Sequence, residues 1–314
     1  MTMNRSDTTA FINAQQYSAF ILENLYDVLL PGQLYRNVSD FTTGNVLDIK
    51  TVGTAMIQDV AEGQPLTANP ISTNTIKMYI TDYIGDAWSV SDELRQDAIQ
   101  LEQLMALRGM AATRAIAENF ETRFLAACNA GQTNAAANTI NGQAHRVAST
   151  ETNNVIALKH FVQMKLAFDK ANVPQAGRVC LVDPVVEASI NSLANLINVS
   201  YNPMFEGMIT TGFASEHKFV RNIFGWDIYT TNRLPRGTYS DGTTSVTDGV
   251  TNIFMSVLDD NTKPVMAAWR KQPSVEGWRE PSIREDQFAT TARFGFGTQR
   301  NDSLGIVITD ATKY

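Results

Sequence analysis

The stretch from residue 88 to residue 131 constrains the fold of this chain more than any other part of its sequence. It contains no proline and only one glycine before its end, Gly109. Ser91 is a good N-cap, Asp92 adds negative charge to the first turn, and Gly131 suits the left-handed position after a helix. A helix over residues 92–129 would be about 57 Å long, several times the average length in globular proteins.

An apolar stripe follows this predicted helix in steps of three and four residues. Its members are Leu94, Ala98, Leu101, Met105, Ala112, Ile116, Phe120 and Phe124. Arg108 also falls on the stripe and interrupts it. Two interpretations follow. One is a long spine with protein layers against more than one side, and the other is a kinked pair of ordinary helices.

Residues 46–52 and 73–90 alternate apolar with polar or small side chains, which is typical of half-buried strands. Within the segment between them, residues 61–73 contain Gly63, Pro65 and Pro70, and little that fills a core. We predict a long two-stranded ribbon with an irregular tip near residues 62–70. An isolated ribbon is marginally stable in water, so we expect it to lie on another surface. The alternative is a hairpin packed on its own domain.

The first helix is predicted over residues 13–30, where apolar side chains share one face. We expect that apolar face to pack against protein, either its own subunit or a neighbouring one. After the spine, a second helix is predicted over residues 155–172, then a buried strand at 179–182 and a further helix to about residue 196. Helix, buried strand and helix together indicate an α/β arrangement.

The rest of the chain is predicted to be mainly extended. Residues 200–249 alternate turns with short strands, and Asp241-Gly242 and Asp248-Gly249 are the turn candidates. Residues 253–258 read as a short buried strand, residues 269–296 as long extended segments, and residues 305–308 as the closing strand.

Composition excludes several classes of protein. The chain has 314 residues, 44% of them hydrophobic, which is enough for a large core and favours two. A net charge of −7 argues against a general nucleic-acid binder. No run of apolar residues reaches the length of a membrane span, and the N-terminus does not read as a signal peptide. Cys128 and Cys180 are isolated, which predicts free thiols and a reducing cytoplasm.

No motif for catalysis, a cofactor or a metal is present. His145, His160 and His217 are far apart and have no second ligand at metal spacing. Gly295-Phe296-Gly297 lacks the third glycine of a dinucleotide site, so we interpret these as strand glycines that let backbones approach. Glu285-Asp286 beside Arg284 reads as a solvated turn. We therefore predict no catalytic, cofactor-binding or metal-binding residue.

Several segments, taken in order, resemble one known family. They are WSVSDEL (88–94), AFDKANVPQAGRVCLVDP (167–184), IFGWDIYTTNRLP (223–235) and TARFGFGTQRNDSLGIVITD (291–310). The most specific pieces are VPxxGRxxxVxP at 173–184 and Leu-Pro at 234–235. The chain resembles, over nearly its whole length, the major capsid proteins of tailed bacteriophages with the Hong Kong 97-type fold.

The resemblance implies an α+β capsid fold in five segments. These are an N-terminal arm (1–45), an extended β-ribbon loop (46–90), the spine helix with the peripheral domain (91–180), an axial domain (181–262) and a return to the peripheral domain (263–314). The ribbon would lie on the adjacent subunit, and the N-terminal helix would also reach across a contact. The subunit-contact candidates are Tyr17, Phe20, Leu25, Glu62, Gly63, Gln64, Pro65 and Leu66.

The implied function is that of a shell subunit. Hexamers and pentamers would form an icosahedral capsid of the virion, assembled in the host cytoplasm, that encloses double-stranded DNA without binding it specifically. A portal is implied, and because only about a dozen residues precede the first predicted helix, we expect a separate scaffolding protein. The alternatives are an encapsulin-like compartment shell and a cytosolic two-domain α/β enzyme. A phage tail or connector protein leaves the spine and ribbon unexplained.

Overall fold

A computed structural model describes residues 29–30, 32–38, 44, 46–53, 57–59, 62–63, 71–97, 101–132, 138–192 and 219–313. The helices in these ranges are α1 (Asp92–Asp97), α2 (Leu101–Gly131), α3 (Leu158–Lys170) and α4 (Pro184–Ser192), with short 3-10 turns at Gly32–Leu34 and Thr152–Asn154. The strands are β1 (Arg36–Asn37), β2 (Val46–Val52), β3 (Thr73–Tyr79), β4 (Asp82–Ser91), β5 (Thr139–Ile140), β6 (Gln143–Ala144), β7 (Arg146–Ala148), β8 (Arg178–Val182), β9 (Phe219–Ile223), β10 (Trp226–Thr230), β11 (Arg236–Ser240), β12 (Ser245–Ser256), β13 (Val265–Glu280), β14 (Glu285–Thr298) and β15 (Leu304–Asp310).

The predicted spine is present as α1 and α2, with residues 98–100 outside the described part. Ser91 is the N-cap, since its Oγ accepts a hydrogen bond from the Leu94 N–H at 3.2 Å. The prediction for Gly131 was wrong: it is the last helical residue and is not among the glycines with positive φ. A Cβ there would lie 3.0 Å from Leu304 Cδ2, so close packing against β15 accounts for this glycine.

The apolar stripe is buried over the second half of α2. Ala112, Ile116, Phe120 and Phe124 are all buried, whereas Leu94 of α1 is 44% exposed. Arg108 fits on the stripe because it contacts β4: its guanidinium lies 5.4 Å from the centroid of the Trp88 ring and 2.6 Å from Asp86.

Two sheets pack against this helix. The four-stranded sheet has the order β1-β13-β14-β4, and the seven-stranded sheet has the order β7-β15-β12-β8-β10-β9, with β11 also paired to β12. Ile116 and Phe120 pack on the four-stranded sheet at Phe294, while Phe124 and Cys128 pack with Val179 and other residues of the seven-stranded sheet. The spine therefore joins the two sheets. The choice between one long helix and a kinked pair stays a prediction, because residues 98–100 lie outside the described part.

The opposite face of the seven-stranded sheet is covered by α3 and α4. Phe161 and Phe168 of α3 form a cluster with Trp226 and Phe254 of the sheet, and the ring centroids of Phe168 and Trp226 are 5.0 Å apart. This packing explains why residues 155–196 read as helix, buried strand and helix. The observed helices are shorter than predicted at the described ends.

Two strand predictions were wrong in detail. Residues 82–91 do not continue the ribbon but pair with β14 at the edge of the four-stranded sheet. Asp248-Gly249 is not a turn but lies within β12, where Asp248 has a φ of 54° and the register with β11 shifts. A left-handed residue inside a strand produces a bulge instead of a reversal. The Asp241-Gly242 turn is confirmed, with Gly242 at a φ of 94°.

The five predicted segments do not follow the sheets. The seven-stranded sheet takes β7 from 91–180, β9 to β12 from 181–262 and β15 from 263–314, and β8 crosses the boundary between the first two of these segments. The bounds of the peripheral and axial domains therefore stay predictions.

Candidate subunit interface

The base of the ribbon is built from two antiparallel strands with one inward face. β2 and β3 pair from Val46 opposite Tyr79 to Val52 opposite Thr73. Leu47, Ile49, Ile76 and Met78 of this ribbon pack with Met266 and Ala268 of β13. One side of the hairpin is thus held by the chain's own four-stranded sheet, on the face opposite the spine.

Two glycines of β14 let the ribbon approach this closely. A Cβ on Gly295 would lie 2.3 Å from the carbonyl oxygen of Tyr79, and one on Gly297 would lie 2.8 Å from Met78 Cγ. Real Cβ atoms do not come this near other atoms, so any side chain here would displace β3. The prediction that Gly295-Phe296-Gly297 allows close backbone approach is confirmed.

The outward face of the ribbon carries exposed apolar side chains. Val46 is 38% exposed, Val52 is 72% exposed and Tyr79 is 52% exposed. Beyond the paired strands, Ile57 is 98% exposed and Ile71 is 79% exposed. Val46 and Val52 alternate with charged side chains on this face, so it is a mixed surface; the exposed apolar side chains at and beyond its end favour a partner that covers them.

A cluster of charges joins the start of the spine to the turn between β13 and β14. Arg279 donates to both carboxylate oxygens of Asp92 at 2.7 Å, and to Asp286 at 3.1 Å. Arg95 of α1 also forms an ion pair with Asp286. The hydrogen bond from Arg279 is the main cause that lowers the pKa of Asp92. The cluster positions the β13–β14 turn, whose Ile283 is 53% exposed.

Glu121 of the spine binds both the chain at Leu30, where the predicted first helix ends, and the segment that follows β10. Its side chain is buried, and its Oε2 accepts a hydrogen bond from the Leu30 N–H at 3.1 Å. Its Oε1 accepts from Thr231 Oγ1 and from Arg233 Nη1, both at 3.3 Å. A buried carboxylate with this many donors holds three elements in one arrangement.

Comparison with known proteins identifies the family. A sequence model described as phage capsid protein matches residues 73–309, well over half of the chain. The chain belongs to this phage capsid protein family. No curated protein matches the capsid protein's sequence.

Solved structures share the fold of the capsid protein at low sequence identity. A structure from Mycobacterium phage Che8 is 16% identical over 96% of this chain and 97% of that chain, with a TM-score of 0.68. The capsid of the cyanophage P-SCSP1u is 15% identical over 96% and 94%, with a TM-score of 0.71. The mature capsid of bacteriophage PhiM1 is 13% identical over 96% and 93%, also with a TM-score of 0.71.

The family match and the shared fold confirm two predictions. The chain has the Hong Kong 97-type α+β fold, and it is a major capsid protein of a tailed phage. It is therefore a structural protein of the virion that assembles into a multi-subunit shell. Neither the compartment shell nor the two-domain enzyme is favoured by these matches.

The predicted contact residues are only partly described. Glu62 and Gly63 are exposed in a turn, and Gly63 has a φ of 78°. Tyr17, Phe20 and Leu25 lie outside the described residues, as do Gln64, Pro65 and Leu66, so their contacts stay predictions. The exposed ribbon residues Val52 and Ile71 were missed, although the alternation in VLDIKTV already separates the two faces of β2.

The residues considered for chemistry have structural surroundings in the capsid protein. Among the described residues no group of histidine, cysteine and acidic side chains is arranged to hold a metal ion. Cys128 and Cys180 are buried free thiols, and burial raises the pKa of both. His217 lies outside the described residues. None of the helices in the described ranges has the length and hydropathy of a membrane span.

His160 is expected to make the subunit less stable in acid. Its Nδ1 accepts a hydrogen bond from the Ala157 N–H at 3.0 Å, and the ring is buried. Burial, followed by Lys159, lowers the pKa of His160 to about 4. The folded state thus favours the neutral ring, so its contribution is full above an unfolded pKa of about 6.5 and is lost as the pH falls toward 4. We expect a loss of about 3 kcal/mol over this window.

Urea unfolding of unassembled subunits between pH 6.5 and pH 4.5 measures this loss. His160→Gln is the control, because glutamine at the third helical position accepts the same N–H but does not titrate. The variant should lose less stability than the wild type over the same range. An identical pH dependence for the two proteins would rule out His160 as the cause.

Proposed function

We propose that the capsid protein forms hexamers and pentamers that close into an icosahedral shell around double-stranded DNA, and that the ribbon binds the adjacent subunit. The exposed apolar side chains at the far end of the paired strands and just beyond it carry the proposal, with Ile57 98% exposed, Ile71 79% exposed and Val52 72% exposed. In a closed shell the same contact is repeated in every subunit, so a modest free energy per contact adds up to a large stabilisation of the shell.

The anchored base makes the ribbon suited to this role. Because its inner face is packed on β13 and its backbone touches Gly295, its direction is set before assembly. A preorganised element loses less conformational entropy on binding, which leaves more of the contact energy for association. Gln64, Pro65 and Leu66 at the predicted tip belong to the same proposed contact.

The remaining partners are proposed from the family resemblance and from charge. A net charge of −7 suits a shell that encloses DNA without binding it tightly, since tight binding to phosphates needs clustered lysine and arginine. A scaffolding protein, a portal and assembly in the host cytoplasm complete the proposal.

The double variant Val52→Asp with Ile71→Asp tests the ribbon contact. Both side chains are exposed in the subunit, so folding should be unaffected while assembly is lost, because two charges would have to be buried against the neighbour. We expect the yield of large particles, measured by sedimentation velocity, to fall by at least about tenfold, which corresponds to about 1.4 kcal/mol.

The matched control is Thr152→Asp with Gln175→Asp, which adds the same two charges at exposed polar positions. This control should assemble as the wild type does. Wild-type assembly by the ribbon variant would overturn the proposed contact, and a loss of the thermal unfolding transition would reveal misfolding instead.

A further inference from the structure

An apolar groove runs along α2 from Met105 to Phe124, between this helix and β13. It consists of a cavity of about 350 Å³ and an adjoining one of about 630 Å³. Leu29, Thr113 and Ala117 line both cavities, so the two form one continuous surface. We call this surface the spine groove.

The walls of the spine groove are largely hydrophobic. Met105 and Met110 of α2 and Val275 of β13 line its outer part, and Phe120 and Trp269 line its inner part. Met110 is 61% exposed and Val275 is 49% exposed. A contiguous apolar surface of this kind, with large side chains exposed in it, marks a binding surface.

We propose that residues 13–28 of the same chain dock in the spine groove as an amphipathic helix. The chain itself supplies the first argument. Residue 28 precedes Leu29, which lines both cavities, and Leu30 is held in place by its N–H bond to Glu121. The segment upstream of Leu29 therefore begins at the groove. This contact lies within one subunit and is independent of the proposed ribbon contact.

The length and pattern of the segment also match the groove. Sixteen residues of helix span about 24 Å, and the groove follows α2 from Ala117 to Met105, about 18 Å. Tyr17, Ile21 and Leu25 share one helical face, whereas Glu23 and Asp27 lie on the opposite face. A parallel arrangement would place Leu25 near Gly109, one turn from Thr113, which lines both cavities together with Leu29.

Gly109 is consistent with a second helix at this position. A Cβ added to Gly109 would meet no atom within 4 Å, so the described parts of the chain do not require a glycine here. Glycine is unfavourable in a helix interior compared with alanine. The open space above Gly109 leaves room for a second helix on this turn of α2, even with a small side chain at residue 109.

Disulfide trapping in the full-length protein tests the proposal. The double variants Leu25→Cys with Gly109→Cys and Ile21→Cys with Met105→Cys follow the predicted register. Glu23→Cys with Gly109→Cys is the matched control, because Glu23 faces away from the groove. The native Cys128 and Cys180 are fully buried and do not compete. After oxidation with diamide, non-reducing gels distinguish links within one chain from links between chains.

We expect at least one of the two register pairs to form disulfides within single chains. Its yield should exceed that of the control at least about tenfold, because docking raises the effective concentration of one thiol near the other. Links between chains would overturn the proposal and assign the groove to a neighbouring subunit's arm. Equal linking of the control, or no linking in either register pair, would also overturn it. Unchanged thermal unfolding of the single variants verifies that each is folded.

Discussion

Gly295→Ala is expected to lower the free energy of unfolding of the subunit by about 3 kcal/mol. The added methyl group would lie 2.3 Å from the carbonyl oxygen of Tyr79 and 2.7 Å from the Cα of Ile80. Both are backbone atoms, so no rotation of a side chain relieves the overlap. Strand β3 must move, and the packing of Met78 on β13 is lost with it. Equilibrium unfolding in urea measures the change.

Gly109→Ala is the matched control for this prediction. It is the same substitution, but the new Cβ would meet nothing within 4 Å, and alanine favours helix. It should leave stability unchanged or raise it by up to about 1 kcal/mol. If Gly295→Ala is as stable as this control, the close contact between the ribbon and β14 does not exist in the folded subunit.

Arg178→Met is expected to cost about 3 kcal/mol of stability. Arg178 is 2% exposed and donates to Asp169 Oδ1 at 2.6 Å and to the carbonyl oxygens of Val173 and Pro174 at 2.7 and 2.9 Å. Its guanidinium also lies 5.7 Å from the centroid of the Trp226 ring. Methionine fills much of the space, but it leaves the buried carbonyl oxygen of Val173 without this donor.

Lys159→Met provides the comparison with an exposed ion pair. Lys159 pairs with Glu151 at 2.5 Å, with side chains 54% and 38% exposed. Solvent screens such a pair, so its removal should cost much less stability than Arg178→Met does. Equal losses for the two variants, measured by urea unfolding, would contradict a special role for Arg178.

These contacts explain the most specific piece of the sequence resemblance, VPxxGRxxxVxP. Gly177 has a φ of 68°, and a Cβ there would lie 2.9 Å from the backbone of Leu258. Arg178 binds the carbonyl oxygens of the preceding turn, Val182 is buried in β8, and Pro184 is the first residue of α4. Proline suits that position because its missing N–H has no partner in a first turn.

Sequence patterns predicted elements well where one element buries one face. The stripe on α2 and the alternation in β13 and β14 are of this kind. The pattern failed for residues 82–91, because alternation indicates that one face of a strand is buried but does not identify its partner. An edge strand of a sheet and one strand of a ribbon therefore have the same alternating sequence pattern. The pairing of β4 with β14, which sets Trp88 opposite Phe288, distinguishes them.

The candidate interface was harder to predict than the fold. A contact surface in an unassembled subunit consists of exposed apolar side chains, which read in sequence like core residues. Val52 and Ile71 flank the turn-rich segment and were not singled out for this reason. Gly295 and Gly297 carried a usable signal, since glycines in a strand indicate close approach. Which backbone approaches them depends on tertiary structure.

Electron microscopy of the soluble protein, produced with each candidate scaffolding protein, tests shell assembly most directly. We expect closed shells, or tubes and curved sheets of capsomers, in which the ribbon of each subunit lies on its neighbour. Small particles of uniform size with every scaffold would contradict assembly through the ribbon. A closed shell in which Val52 and Ile71 face solvent would contradict it equally.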